Sequence, residues 1–362
     1  MNLLDSNAQT LRLARAAGRR VVVIGGGTGL STLLLGLKEY TDNITAVVTV
    51  TDDGGGSGVL RREFGIPPPG DLRNCILALA NTSDTMEKLL SYRFSEGSLS
   101  GQSFGNLFLL ALHEITGSFD LAVGSMSQIL AITGQVLPVT QEQVSLRAVF
   151  EDGSAVTGET AITGAKKRMD LSIDHIELVP ATAAPLPEVM TAIESAEVII
   201  LGPGSLYTSI IPNLLVNGIS EALFRSRALR LFVLNIMTQE GETERYSAAQ
   251  HVESLLQHAG GQIIDACVYN TRIAQRRLLA RYALEGSEPL IPDEANFQRL
   301  GIRLLGYDML SRSGMLARHD PLRLAYGLMD ASRKLRPRTG ELGEYDALLL
   351  DDTEGEALVI KE

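Results

Sequence analysis

Cysteine is nearly absent from this 362-residue chain: Cys75 and Cys267 are its only two. Two thiols so far apart give neither a disulfide framework nor metal-ligand spacing, and they suit a reducing compartment. Cys267 lies in the apolar run 263–268, and both thiols are expected to be small core residues. Long apolar runs are also missing, and none approaches the roughly 20 residues of a membrane span. Residues 1–20 contain no apolar stretch followed by a small-residue cleavage site, so they do not read as a signal peptide. These absences predict a cytoplasmic protein with no membrane insertion. Positive charge is short as well: 32 Lys and Arg face 43 Asp and Glu, a net charge of −11. With no basic stripe, nucleic acid is not an expected partner. Much of the acidity is local. Residues 340–362 hold eight acids (Glu341, Glu344, Asp346, Asp351, Asp352, Glu354, Glu356, Glu362) against Lys361 alone, so −7 of the −11 sits there. Such a tail reads as a solvated end. His113, His175, His251 and His258 show no partner spacing and receive no role. No nucleophile elbow, paired-His metal motif or Cys–His pairing is present.

What is present is a chain that is 45% hydrophobic, enough for a full core. Apolar β-branched runs alternate with helical periodicity, which favours an α/β fold with a mostly parallel, helix-covered sheet. Strands are predicted at 20–24, 45–50, 197–201, 229–235, 263–269 and 300–305. Helices are predicted at 31–40, 72–80, 84–93, 106–114, 120–132, 207–224, 247–258, 273–284 and 321–335. Between 134 and 180 helical periodicity fades, Thr, Val and Ile rise, and Asp152-Gly153 reads as a hairpin turn. A small antiparallel β insertion is expected there. The organisation is thus an N-terminal arm (1–19), one sheet domain (20–336) with the insertion at about 134–180, and an acidic tail (337–362).

Three glycine-rich segments each follow a predicted strand, where open α/β sheets bind ligands. In Gly25-Gly26-Gly27-Thr28-Gly29-Leu30-Ser31, glycine lets the backbone approach a ligand, and the next helix offers free N–H groups suited to phosphate. The segment matches neither G-x-G-x-x-G, since Leu30 holds the last position, nor a P-loop, since no Gly-Lys-Ser/Thr follows. In Thr51-Asp52-Asp53-Gly54-Gly55-Gly56-Ser57, Asp52 falls where dinucleotide folds hold ribose hydroxyls. The pair Asp52 and Asp53 could equally seat a divalent cation or cap a turn. The third, Gly202-Pro203-Gly204-Ser205-Leu206-Tyr207-Thr208-Ser209, repeats the pattern in the other half of the sheet. Smaller signals lie between them. Asp71, beside Arg73 and Asn74, reads as a helix cap or a site residue. Asn106 reads as a cap or a base-reading amide. Asn235, Thr238 and Gln239 sit just past a strand end. Tyr282 and Arg318-His319-Asp320 are the remaining polar candidates, and alone they would be surface residues.

Taken in order, these segments, with Gly105-Asn106-Leu107, Asn235-Ile236-Met237-Thr238-Gln239 and Gly241-Glu242-Thr243, closely resemble the YvcK-type gluconeogenesis factor family over roughly residues 20–335. The wider superfamily includes 2-phospho-L-lactate transferase. The resemblance implies a Rossmann-like, doubly wound fold and binding of UDP-N-acetylglucosamine. It also implies a role in cell shape and envelope precursor supply during gluconeogenic growth, with Tyr282 and Arg318 contacting the nucleotide sugar. An enzyme of amino-sugar synthesis and a second copy of the chain are the partners it suggests. Gly26, Gly27, Thr28, Gly29, Asp52, Asp53, Asp71, Asn74, Asn106, Gly202, Gly204, Ser205, Tyr207, Thr208, Asn235, Thr238, Gln239, Tyr282 and Arg318 form the expected ligand site. The transferase relatives use Mg²⁺, which makes a Mg²⁺-dependent transferase the alternative to a regulator without its own chemistry; a plain NAD binder is a third reading. Gly56, Gln102 and residues 269–272 depart from the family pattern.

Overall fold

A computed structural model describes residues 14–337, apart from 170 and 313–315; the acidic tail from 340 onward lies outside the described residues. The first half runs β1 (Val21–Gly25), α1 (Gly27–Leu37), β2 (Ile44–Val48), α2 (Gly55–Phe64), α3 (Gly70–Leu79), α4 (Asp84–Ser91), α5 (Phe104–Thr116), α6 (Phe119–Ile129) and β3 (Gln135–Pro138). An insertion follows: β4 (Ser145–Phe150), β5 (Ala155–Thr157), α7 (Glu159–Met169) and β6 (Ile173–Val179). The second half comprises α8 (Pro187–Ser195), β7 (Val198–Leu201), α9 (Ile211–Leu214), α10 (Ile219–Arg225), β8 (Leu229–Val233), α11 (Ala248–Ala259), β9 (Ala266–Asn270), α12 (Arg276–Leu284), α13 (Glu294–Arg299), β10 (Arg303–Tyr307) and α14 (Pro321–Leu335).

Seven strands form one sheet in the order β10-β9-β8-β7-β1-β2-β3, and every neighbouring pair is parallel. Parallel strands covered on both faces must be apolar throughout. β1 (VVVIG) and β7 (VIIL) are buried at every position for that reason. The order reverses between β1 and β7, so the crevice beyond their carboxyl ends is the switch point of the sheet. Cys75 and Cys267 are buried free thiols in this core. Among the described residues no single helix is long and apolar enough to cross a membrane. The described part of the arm lies against the body: Arg15 meets Glu39 and Asp42, and Arg19 donates to the carbonyls of Ser332 and Arg336.

Helix α1 begins four residues earlier than its leucine pattern suggests, inside the glycine loop itself. Glycine costs about 1 kcal/mol in a helix relative to Ala. Burial of Leu30, Leu33, Leu34 and Leu37, each contributing about 1.5–3 kcal/mol, outweighs that cost.

Several expectations are corrected. Residues 135–138 belong to the main sheet as edge strand β3, not to the insertion; a four-residue apolar run cannot say which sheet it joins. The insertion does hold the antiparallel sheet β5-β4-β6, turning at Asp152-Gly153 with Gly153 at φ +81. It also holds α7, whose Thr160, Thr163 and Gly164 hide its helical pattern. The second glycine segment opens directly into α2, and α8 and α13 were not anticipated. The single helix expected over 207–224 is a π-turn (Leu206–Ile210), then α9 and α10, broken at Gly218 with φ +84.

Candidate functional site

Two glycine loops leave the two switch-point strands side by side. After β1, Gly26 is extended and caps α1 with no side chain, and Gly27 takes φ +67. A Cβ at Gly29 would lie 2.5 Å from the Pro203 carbonyl oxygen and 3.2 Å from the Gly204 nitrogen. A Cβ at Gly26 would lie 2.7 Å from Thr49 Cγ2 and 2.8 Å from Asp71 Oδ2. The two loops touch because Gly29 carries no side chain, and the first loop sits against Thr49 and Asp71 because Gly26 carries none. After β7 the chain turns through Gly202 (φ +81) and a cis Gly202–Pro203 bond into Gly204 and Ser205. The segment past β8 braces this second loop: Asn235 Nδ2 donates to the Gly204 carbonyl at 2.8 Å, and Gln239 Nε2 donates to Ser205 Oγ at 2.9 Å.

A cavity of about 280 Å³ lies at this junction. Gly26, Gly27, Thr28 and Gly29 line one side, and Gly204, Ser205, Asn235, Thr238 and Gln239 line the other. Tyr282, Arg318 and His319 line it too, as a lip from the far end of the chain. The lip is held by the Ala317 N–H, which donates to the Tyr282 hydroxyl at 3.1 Å. Burial pushes His319 down to about 4, and its Nε2 has no partner, so it stands neutral in the wall. The start of α1 lines the cavity, and apart from the Gly27 N–H, which Asp71 takes, its first N–H groups and positive dipole end suit phosphate.

The remaining predicted residues lie behind the loops rather than on this cavity. Asp71 does not cap its own helix, which starts after Pro69; its Oδ2 accepts from the Gly27 N–H at 2.6 Å and so shapes the first loop. Burial pushes Asp71 up to about 6. Asp52 accepts from the Gly54 N–H at 2.9 Å, and burial raises it as well. Asp53 accepts from the Thr160 N–H at 3.0 Å and its hydroxyl at 2.7 Å, tying the loop after β2 to α7. Asn74 accepts from Arg73 at 2.6 Å. Asn106 is not a cap, that role falling to Ser103; its Nδ2 donates to Ser57 Oγ at 3.4 Å, and its buried Oδ1 has no partner. The Tyr207 hydroxyl packs inside against Tyr246 (2.9 Å) and Ser254 (3.0 Å).

Two acids went unassigned in the sequence reading. Glu242 is buried beneath the second loop, where it accepts from the Thr208 hydroxyl at 2.7 Å, and burial pushes it up to about 7. Its only local signal is the segment Gly241-Glu242-Thr243. Glu159 opens α7 and is pushed up to about 9, first by burial and then by Asp52, Glu242, Asp71 and Asp53. Nothing in its neighbourhood along the chain marks it.

Fold and site together define a doubly wound α/β protein with a crevice between paired glycine loops at its switch point. A profile described as "2-phospho-L-lactate transferase CofD" matches residues 21–310. A gluconeogenesis factor homologue of Thermoanaerobacterium thermosulfurigenes is 51% identical over 312 residues, 86% of this chain and 96% of its own. The gluconeogenesis factor of Bacillus subtilis is 42% identical over 86% of this chain and 97% of its own. A crystal structure of a Bacillus halodurans protein superposes with a TM-score of 0.82 at 41% identity, covering 86% of this chain and 99% of that one. The chain therefore belongs to the gluconeogenesis factor family, within the CofD-type transferase group.

Proposed function

We propose that this chain is a cytoplasmic regulatory protein that binds UDP-N-acetylglucosamine and supports cell shape and envelope precursor supply during gluconeogenic growth. The observation that carries the reading is the cavity in which a helix N-terminus faces a second glycine loop, with Tyr282 and Arg318 on the same wall. Two adjoining loops suit the two phosphates of a nucleoside diphosphate, and an aromatic–guanidinium lip suits a base or its sugar. The cavity, at 280 Å³, is just below the usual size for a small-molecule site, so a nucleotide sugar would extend past it. An enzyme of amino-sugar synthesis is the partner proposed for the loaded form. Calorimetry with UDP-N-acetylglucosamine, UDP and NAD tests the reading. Heat is expected with both uridine ligands and none with NAD; silence with UDP-N-acetylglucosamine at millimolar concentration would overturn it.

The family match also supports a second reading, a Mg²⁺-dependent transferase. Mg²⁺ is commonly held by one or two carboxylates plus substrate phosphates. Asp52 and Asp53 are the carboxylates that offer this donor set; Asp53 already accepts from Thr160, and Asp52 lies close enough to act on Asp71. The ion would neutralise charge on a transferring phosphate. Asp52→Asn should then abolish Mg²⁺-dependent turnover, and unchanged turnover would remove this reading.

A further inference from the structure

The outer face of α12 is basic in a chain that is acidic. Residues 271–284 carry Arg272, Arg276, Arg277 and Arg281 and no acid. Arg272 pairs with Asp308 at 3.1 Å, but Arg276, Arg277 and Arg281 are exposed and have no carboxylate partner among the described residues. Arg276 and Arg277 are the first two residues of the helix, whose first turn holds no acid. Cations there oppose the helix dipole, so the stability of α12 itself does not account for them. The same surface is apolar at both ends of the helix: Ile273 is 74% exposed and Leu284 88%. The other face of α12 makes the lip of the crevice. Tyr282 lines the cavity, and the Arg281 guanidinium lies 5.9 Å from the centre of the Tyr282 ring. The chain itself contains a segment of complementary chemistry. Between 341 and 356 stand Glu341, Glu344, Asp346, Asp351, Asp352, Glu354 and Glu356, no base, and the apolar run 347–350. That segment lies outside the described residues, and α14 sets the distance it has to cover. This helix starts beside the cavity, just after His319. It ends at the amino ends of the strands, where Arg336 accepts from Arg19 ahead of β1 and donates to the Arg227 carbonyl ahead of β8. It has 15 residues, so the way back to the crevice is about 22 Å. Residues 338–362 can span at most about 80 Å, several times that distance.

We infer that the outer face of α12 is the docking surface for the acidic segment 341–356 of the same chain, and that this contact competes with ligand for the crevice. The carboxylates meet Arg276, Arg277 and Arg281, and the run 347–350 meets the adjoining apolar positions. The competition rests on the nucleotide-sugar reading above, whereas the contact itself does not. Each surface ion pair is weak. Tethering supplies an effective concentration on the order of millimolar, so several such pairs together hold the segment. Held there, its carboxylates stand beside the lip that a ligand diphosphate must pass, and like charges exclude each other.

A fluorescent synthetic peptide of residues 338–362, followed by anisotropy, tests the contact without any ligand. The receptor is the full chain with its own segment neutralised by Glu344→Gln, Asp346→Asn, Asp351→Asn and Asp352→Asn. This chain should bind the peptide, and added salt should weaken the binding. Wild type should bind it at least about tenfold more weakly, because its own segment holds the surface. Adding Arg276→Glu, Arg277→Glu and Arg281→Glu to the neutralised chain should abolish binding, and melting curves confirm that each variant is folded. No binding to the neutralised chain, equal binding to wild type, or binding that survives the three arginine reversals would overturn the contact. Calorimetry with UDP-N-acetylglucosamine tests the competition. The neutralised chain should bind about fivefold more tightly than wild type, as it would if the crevice of wild type were open about one fifth of the time. Equal affinities would overturn the competition. If neither chain binds the nucleotide sugar, the function proposed above fails, while the peptide measurements still decide the contact.

Discussion

Gly29 is the residue on which the geometry of the crevice turns. Its missing side chain lets the first loop lie against Pro203 of the second. Gly29→Ala forces a methyl to 2.5 Å from a backbone carbonyl, so the loops must part. The expected cost is about 1–3 kcal/mol of stability, typical of overpacking, and ligand heat in calorimetry should vanish although the protein still melts cooperatively. Retained affinity would show that the loops do not act as one clamp. At this scale the loop glycines were legible in the sequence, because three glycines in a row exceed what a plain turn needs. The role of Asp71 was only half legible. Its position at the start of α3 resembles a cap, yet its carboxylate serves Gly27, 44 positions earlier. Local spacing cannot distinguish those partners.

Among the elements, α7 of the insertion has the widest reach. It bonds Asp53 through Thr160, and it pairs Lys166 with Glu244 at 3.3 Å and Lys167 with Glu240 at 2.9 Å. It therefore spans loops from both halves of the sheet. The Lys167 pair is half exposed and contributes little. The Lys166 pair is buried, with side chains 4% and 16% exposed. Lys166→Ala strands the Glu244 carboxylate and should cost roughly 3 kcal/mol, the low end for breaking a buried ion pair. Chemical denaturation would measure it, and adding Glu244→Gln should recover most of the loss. If Lys166→Ala is silent, the helix is not tied to the site through this pair. The sequence did not reveal α7, because Thr160, Thr163 and Gly164 lower its propensity and these tertiary contacts make up the difference.

The whole molecule carries its acids in an unusual way, and its pH response should show it. Glu159, Glu242 and Asp71 are raised to about 9, 7 and 6. A raised acid favours the folded state fully below its ordinary range and loses that contribution as pH climbs through the folded value. His319, lowered to about 4, works the other way: it favours folding above its ordinary 6.5 and loses that contribution as pH falls toward 4. The unliganded protein should therefore melt at a lower temperature at pH 9 than at pH 7, whereas on the acid side the three raised acids oppose the loss from His319. Glu159→Gln should remove most of the alkaline drop. A melting temperature that is flat from pH 7 to pH 9 in the wild type would contradict the burial of these acids.

At this scale the division is clear. The sequence by itself determined the α/β class, the alternation of strands and helices, and the three glycine loops that end strands. Those features depend on apolar periodicity and backbone freedom within a few residues of chain. Only the tertiary structure decided that β1 and β7 are neighbours and that 135–138 joins the main sheet. The same holds for Tyr282 and Arg318 lining one cavity with the first loop, and for carboxyls from distant segments acting together on Glu159. The reason is physical: strand order, close approach and carboxyl burial arise between segments far apart in the chain, and no local pattern encodes which segments will meet.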